Sequence, residues 1–286
     1  MKKIKKPQWI ALLCVCILVI IGAVIFLIRY FNQPDINGEV LPTTAATRDE
    51  TRKDVRDETT ASEQPSEAES TEHTYTGAPV VWGYQPAVLD DYQPSFDELM
   101  DINPDIYAWI YIPNTAVDYP VARSTSDGDD SFYLEHNVYR QYQFSGTIYS
   151  EIKNSPDMHD KVTVMYGHNM LNGTMFATLH NFGNKEFFEE NNTAFVLTKD
   201  KIFTYLIYSA YTYDDRHILN TNNFGNDEVF QSYLDETLDP HAVDANVREG
   251  VTLTTDNRIL TLSTCTSGPS DTRYLVQGVL VDEARR

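Results

Sequence analysis

Near the C-terminus, Arg258-Ile-Leu-Thr-Leu-Ser-Thr-Cys265 and Arg273-Tyr-Leu-Val-Gln-Gly-Val-Leu-Val281 are two apolar, β-branched runs separated by the turn formers of Thr266–Thr272. The first run alternates with the period-2 pattern of a half-buried strand. The intervening Thr, Ser, Gly, Pro and Asp residues mark a turn. The simplest fold for this stretch is an antiparallel hairpin, with Cys265 ending one strand and Arg273 starting the next, side by side at one rim of a sheet. A thiol beside a fixed guanidinium has chemical meaning. The positive charge favours thiolate and can also stabilise a developing oxyanion.

Free cysteine is most often core filler, so the count of thiols matters. The chain has 3 cysteines. Cys14 and Cys16 lie in an apolar N-terminal run, which leaves Cys265 as the only thiol in the remainder and without a disulfide partner. An unpaired thiol on an exported domain is a candidate nucleophile.

Export follows from the N-terminus. Met-Lys-Lys-Ile-Lys-Lys precedes an uncharged run from Gln8 to Ile28, which as a helix spans about 30 Å, the thickness of a bilayer core. Lysines on the N-terminal side hold that end in the cytoplasm. The run exceeds a signal-peptide core and no small-x-small cleavage site follows it. The expected organisation is a cytoplasmic tail at 1–7, an uncleaved single-pass anchor at 8–28, a linker at 29–79 and an extracellular domain at 80–286. The linker is dominated by Thr, Ser, Glu, Asp and Pro, a composition that cannot bury enough surface to offset its ordering entropy. It reads as a disordered tether with a reach of about 35–40 Å.

The net charge is −20, and all 42 acidic residues lie beyond the apolar run. So acidic an exterior argues against nucleic acid and anionic lipid as partners and is compatible with amine-bearing ligands. From 80 onward there is room for one substantial core. Ser95-Phe-Asp-Glu98 has the spacing of a capping box at a helix start, Asn103-Pro104 breaks that helix, and Asp105–Trp109 reads as a further turn. Short strand-like runs follow at Ile110–Ile112, Val117–Val121, Gly146–Ser150, Val162–Tyr166, Ala194–Thr198, Ile202–Tyr213 and Val251–Thr254. Helical interruptions are expected at Thr174–Glu190 and Asn226–Glu236. Many short strands at close spacing point to a mostly β closed barrel or sandwich with inserted helices. No glycine-rich phosphate loop and no Cys/His metal spacing occurs, so neither cofactor nor metal is expected. Asp127-Gly-Asp-Asp130 lacks the spaced ligands of a calcium loop.

A thiol nucleophile needs a histidine as base or imidazolium partner. His73 lies in the tether, His159, His217 and His241 sit in polar loops with no strand leading into them, and His136 and His180 stand in or beside helices. His168 differs, because it follows the apolar run Val162-Thr-Val-Met-Tyr-Gly167 and opens a loop at the rim of a β scaffold, where catalytic residues are commonly carried.

These residues resemble a known family. Tyr-Gly-His168-Asn-Met with Gly-Thr-Met-Phe downstream, Thr-Leu-Ser-Thr-Cys265, and Arg273 are similar to the motifs of the sortases, cysteine transpeptidases of the Gram-positive cell surface. The likeness extends upstream through Asn103-Pro-Asp, Ala108-Trp-Ile, Ile112-Pro, Asp118-Tyr-Pro-Val, Phe132-Tyr-Leu-Glu-His-Asn137 and Gly146-Thr-Ile-Tyr. The helices at Ser95 and Phe224–Leu238 resemble class B. The resemblance implies an eight-stranded β-barrel with extra helices and gives His168, Cys265 and Arg273 the catalytic roles. Leu134, Ser263 and Thr264 match substrate-pocket positions. It further implies cleavage of a Thr-Gly or Thr-Asn type bond in the C-terminal sorting signal of surface proteins through a Cys thioacyl intermediate. An amine of a peptidoglycan peptide or lipid-linked precursor would then resolve that intermediate. Many class B members carry an acidic residue directly after the cysteine, where this chain has Thr266. Three other readings stand beside wall anchoring: a pilin polymerase, a hydrolase of the same fold, and a non-catalytic binding module. The intact Cys265, His168 and Arg273 set argues against the last.

Overall fold

The computed structural model describes residues 17, 19–24, 77, 80, 83–89, 94–125, 129–268 and 271–286. The chain separates into two units, Met1–Asp35 and Ile36–Arg286. In the first, residues 17 and 19–24 are helical, with Ile17, Val19, Ile20, Ile21 and Val24 exposed. The rest of the expected anchor, the 1–7 tail and nearly all of the 29–79 tether lie outside the described residues. Among the described residues no helix is long and apolar enough to cross a membrane.

The second unit is mostly β. Its elements are α1 (Phe96–Ile102), β1 (Ile106–Tyr111), β2 (Asp118–Arg123), a 3-10 turn (Phe132–Leu134), β3 (Ile148–Ser150) and β4 (Val162–Tyr166). A 3-10 helix (Ala177–Gly183), α2 (Lys185–Glu190), β5 (Thr193–Leu197), β6 (Lys201–Asp214), α3 (Ile218–Thr221) and α4 (Asp227–Leu238) follow. β7 (Asn246–Val247), β8 (Ile259–Cys265) and β9 (Thr272–Arg285) complete the chain. The strands run in the order β5-β1-β2-β3-β4-β8-β9-β6, and β6 pairs back onto β5, so eight strands close a barrel. β7 adds two residues to the side of β6 at Ser209 and Ala210. Among the described residues, closure leaves no long strand edge open to another chain.

The two longest strands make the wall behind the site. β6 and β9 pair antiparallel from Lys201↔Arg285 to Asp214↔Thr272, with irregularities at Thr204/Tyr205 and Ile207/Ser209. Such bulges let long strands bend around a barrel. Side-chain alternation sorts the C-terminal hairpin as its period-2 pattern requires. Leu260, Leu262, Val276 and Leu280 enter the interior with Phe176, Phe182 and Phe203. Ile259, Leu275 and Val279 pack outward against Phe230, Tyr233 and Leu234 of α4. α4 begins at Asn226, whose side chain accepts from the N–H groups of Glu228 and Val229.

Four expectations are corrected. The Ser95 capping box does not close, since Ser95 makes no side-chain cap bond; burial of Phe96 and Leu99 holds this short helix instead. The turn expected at Asp105–Trp109 shrinks to Pro104 and Asp105, because Asn103 Oδ1 accepts from the Asp105 N–H at 3.1 Å, and β1 starts at Ile106. The single helix expected at Thr174–Glu190 splits at Asn184, whose side chain caps α2 by accepting from Phe187 N–H. Val251–Thr254 forms no strand; Val251 and Leu253 are buried in the outer cluster without a ladder.

Candidate active site

β4 and β8 are parallel neighbours, with Tyr166 opposite Ser263. Two residues past that pair, the chain has reached His168 on one strand's extension and Cys265 at the end of the other. Gly167 makes this exit possible: a Cβ there would lie 2.5 Å from Ile148 Cδ1 and 2.8 Å from the Phe176 ring. Cys265 is exposed, and Arg273 is its partner across the β8–β9 pair. Arg273 Nη1 donates to the Thr272 carbonyl at 3.0 Å. The expected hairpin is therefore formed, with the thiol and guanidinium residues adjacent at its loop end.

The His168 ring is held from two sides. Its Nε2 lies 2.9 Å from the Leu134 carbonyl oxygen, and Phe144 stacks on it at 5.3 Å. Since a carbonyl only accepts, Nε2 carries the proton and Nδ1 is the nitrogen available for proton transfer. Burial pushes the His168 pKa below its ordinary value, opposed by the Leu134 carbonyl and the Glu135 carboxylate. The resting ring is thereby biased to the neutral form.

His168, Cys265, Arg273, Leu134, Ser263 and Thr264 all line one cavity of about 270 Å³. The six residues singled out from sequence come from a 3-10 turn, the β4 exit, β8 and β9, and they converge on a single cleft. Tyr149, Tyr166, Ile218 and Leu275 give its walls an apolar character.

A protein-family model described as the Sortase domain matches residues 110–281. Sortase B of Listeria monocytogenes is 32% identical over 193 residues, covering 65% of this chain and 74% of that protein. The chain belongs to the sortase family, in its class B. Sortase B of Staphylococcus aureus is 29% identical over 180 residues, covering 63% of this chain and 71% of its own length. The crystal structure of Clostridium perfringens sortase B superposes with a TM-score of 0.59 at 34% identity, covering 66% of this chain and 100% of that one. Sortases are cysteine transpeptidases, and this chain is an enzyme of that kind.

Two further features of this sortase lie in or beside the cleft. His217, which the sequence places in a polar loop with no strand leading into it, lines the same cavity; β6 runs to Asp214 and delivers it there. Its Nε2 lies 2.7 Å from Glu151, while its Nδ1 accepts from the Asn220 N–H at 3.2 Å. The end of the long strand was the signal that would have found it. At the position where an acidic residue is common in the class, Thr266 Oγ1 sits 2.5 Å from Thr272 Oγ1. The neck of the hairpin is closed there by a pair of hydroxyls in place of a charge.

Proposed function

We propose that Cys265 is the nucleophile, His168 the acid–base and Arg273 the oxyanion donor of a transpeptidase that transfers surface proteins to the cell wall. The Cys265 thiol gives its proton to His168 Nδ1, and the sulfur attacks the carbonyl carbon of the Thr-Gly or Thr-Asn type bond in a C-terminal sorting signal. The Leu134 carbonyl, already bound to Nε2–H, stabilises the imidazolium that forms, as a triad's third member does. Arg273 carries the oxyanion with a planar fork of donors. When the C–N bond breaks, His168 returns its proton to the leaving amine and a thioester remains on Cys265. An amine of a peptidoglycan peptide or lipid-linked precursor then attacks that thioester, gives a proton to His168, and leaves a new amide and the free thiol.

The observation that carries this reading is the convergence of Cys265, His168 and Arg273 on one cleft, with Cys265 and Arg273 as cross-strand partners. The neutral bias of His168 suits it as acceptor of the thiol proton. Leu134, Ser263 and Thr264 contribute the substrate pocket. The N-terminal run 8–28 anchors the enzyme in the cell membrane with residues 1–7 inside, and the 29–79 linker carries the 80–286 domain on the outer face. The test is turnover of a sorting-signal peptide with an amine acceptor by Cys265→Ala and His168→Ala. Both should lose nearly all activity while remaining folded, and turnover retained in either removes that residue from the mechanism.

A further inference from the structure

The β4–β8 ladder ends one step short of the nucleophile. The Ser263 carbonyl accepts from the Gly167 N–H at 3.2 Å, so it points toward β4. Carbonyls two residues apart on a strand point the same way, and the Cys265 carbonyl is therefore directed to the same side. Continuing the ladder, its donor would be Asn169. The chain has already left the barrel wall there, because Asn169 forms a bridge with Met175 inside its own loop. A side chain supplies what the backbone does not: His180 Nε2 lies 3.0 Å from the Cys265 carbonyl oxygen.

His180 is well placed to hold that position. It stands on the 3-10 helix Ala177–Gly183, which is fixed by buried Leu179 and Phe182. Its ring packs on Tyr274 at 4.7 Å, the residue after Arg273. The same segment holds the other reacting residue, since Phe176 N–H donates to the His168 carbonyl at 3.0 Å. One loop thus clamps the main chain of His168 through a backbone donor and that of Cys265 through an imidazole.

We propose that His180 is a positioning residue for Cys265, its Nε2–H replacing the missing ladder bond and fixing the backbone from which the thiol projects. This rests on Cys265 being the nucleophile. It adds a second histidine to the reaction, one that acts through main-chain geometry and transfers no proton to substrate. The role needs only a donor at the Nε2 position, so Gln should substitute and an apolar residue should not.

The experiment uses the full chain, a sorting-signal peptide as donor and hydroxylamine as the amine. His180→Leu keeps an apolar side chain against Tyr274 without a donor, and its kcat should fall by about 10- to 100-fold with KM little changed, the scale of a small misplacement of a reacting group. His180→Gln should recover most of that loss. Wild-type kcat in His180→Leu, or a His180→Gln as slow as His180→Leu, would overturn the inference. Cys265→Ala in the same assay separates the two readings: if it retains turnover, the nucleophile itself is wrong, whereas a dead Cys265→Ala beside a fully active His180→Leu removes only the positioning role. A readout independent of any variant's folding is the ¹⁵N spectrum of the His180 ring in the wild-type enzyme. It should show a proton on Nε2, and a ring protonated on Nδ1 alone would refute the bond.

Discussion

Gly146→Ala should disable the enzyme from a position that is not among the residues lining the cleft. Gly146 has φ of 61°, and an L side chain in that left-handed region costs about 1–2 kcal/mol. A Cβ there would also lie 2.5 Å from the Tyr133 carbonyl oxygen and closer still to that of Leu134. Relaxed carbon–oxygen contacts are about 3.3–3.6 Å, so the backbone of the Phe132–Leu134 turn must retreat by about 1 Å. Overpacking of this kind adds about 1–3 kcal/mol. The combined destabilisation is about 2–5 kcal/mol, a large part of the 5–15 kcal/mol typical of a domain.

The displaced atom is the one that orients His168, because Leu134 O is the acceptor for Nε2. A misplacement of about 1 Å in a reacting group can cost about 10² in rate, so kcat should drop by that factor in the fraction that remains folded. Urea denaturation followed by fluorescence gives the stability, and peptide turnover at low urea gives kcat. An unchanged denaturation midpoint would mean that the turn yields freely. Lost stability with full kcat would refute the claim that the Leu134 carbonyl sets the imidazole.

Arg273→Lys and Arg273→Ala should each lower turnover by about 10²–10³ with Cys265 still open to alkylation; near wild-type turnover in the Lys variant would leave charge alone as the requirement. His168 should titrate below its ordinary value of 6.5 because burial dominates, and Glu135→Gln should lower the midpoint further. Since the folded chain binds that proton less readily than the unfolded one, His168 supports stability at neutral pH that is lost as pH falls through its folded value. An NMR midpoint at or above 6.5 would contradict this. Protease added to intact protoplasts should release the 80–286 domain by cutting within 29–79, and a protected domain would overturn the proposed topology.

The C-terminal hairpin was legible because its information is local. Apolar, β-branched composition marked both strands, period-2 alternation supported the first, and the turn formers between them set Cys265 against Arg273. His168 was legible for a related reason, since an apolar strand leads straight to it. His217 and His180 were not, because what gives each a role is contact across the barrel. His217 meets Glu151 from the far end of β6, and His180 answers a carbonyl orphaned by the departure of a different strand. The His180 contact has no signature in the neighbouring sequence, and for His217 the signature is the end of the long strand that precedes it. The helical stretch expected at Thr174–Glu190 is present but divided, and the divider is local: the Asn184 side chain caps the second helix.

The account turns on a covalent bond at Cys265, and intact-mass spectrometry of the enzyme quenched in acid after mixing with a sorting-signal peptide tests it directly. Without an amine acceptor, the wild-type chain should gain the mass of the acyl portion of the peptide, located at Cys265 by fragmentation and removed by hydroxylamine. Cys265→Ala should gain nothing. Peptide turnover with no adduct at any time, or an adduct on a different residue, would contradict the thioacyl mechanism.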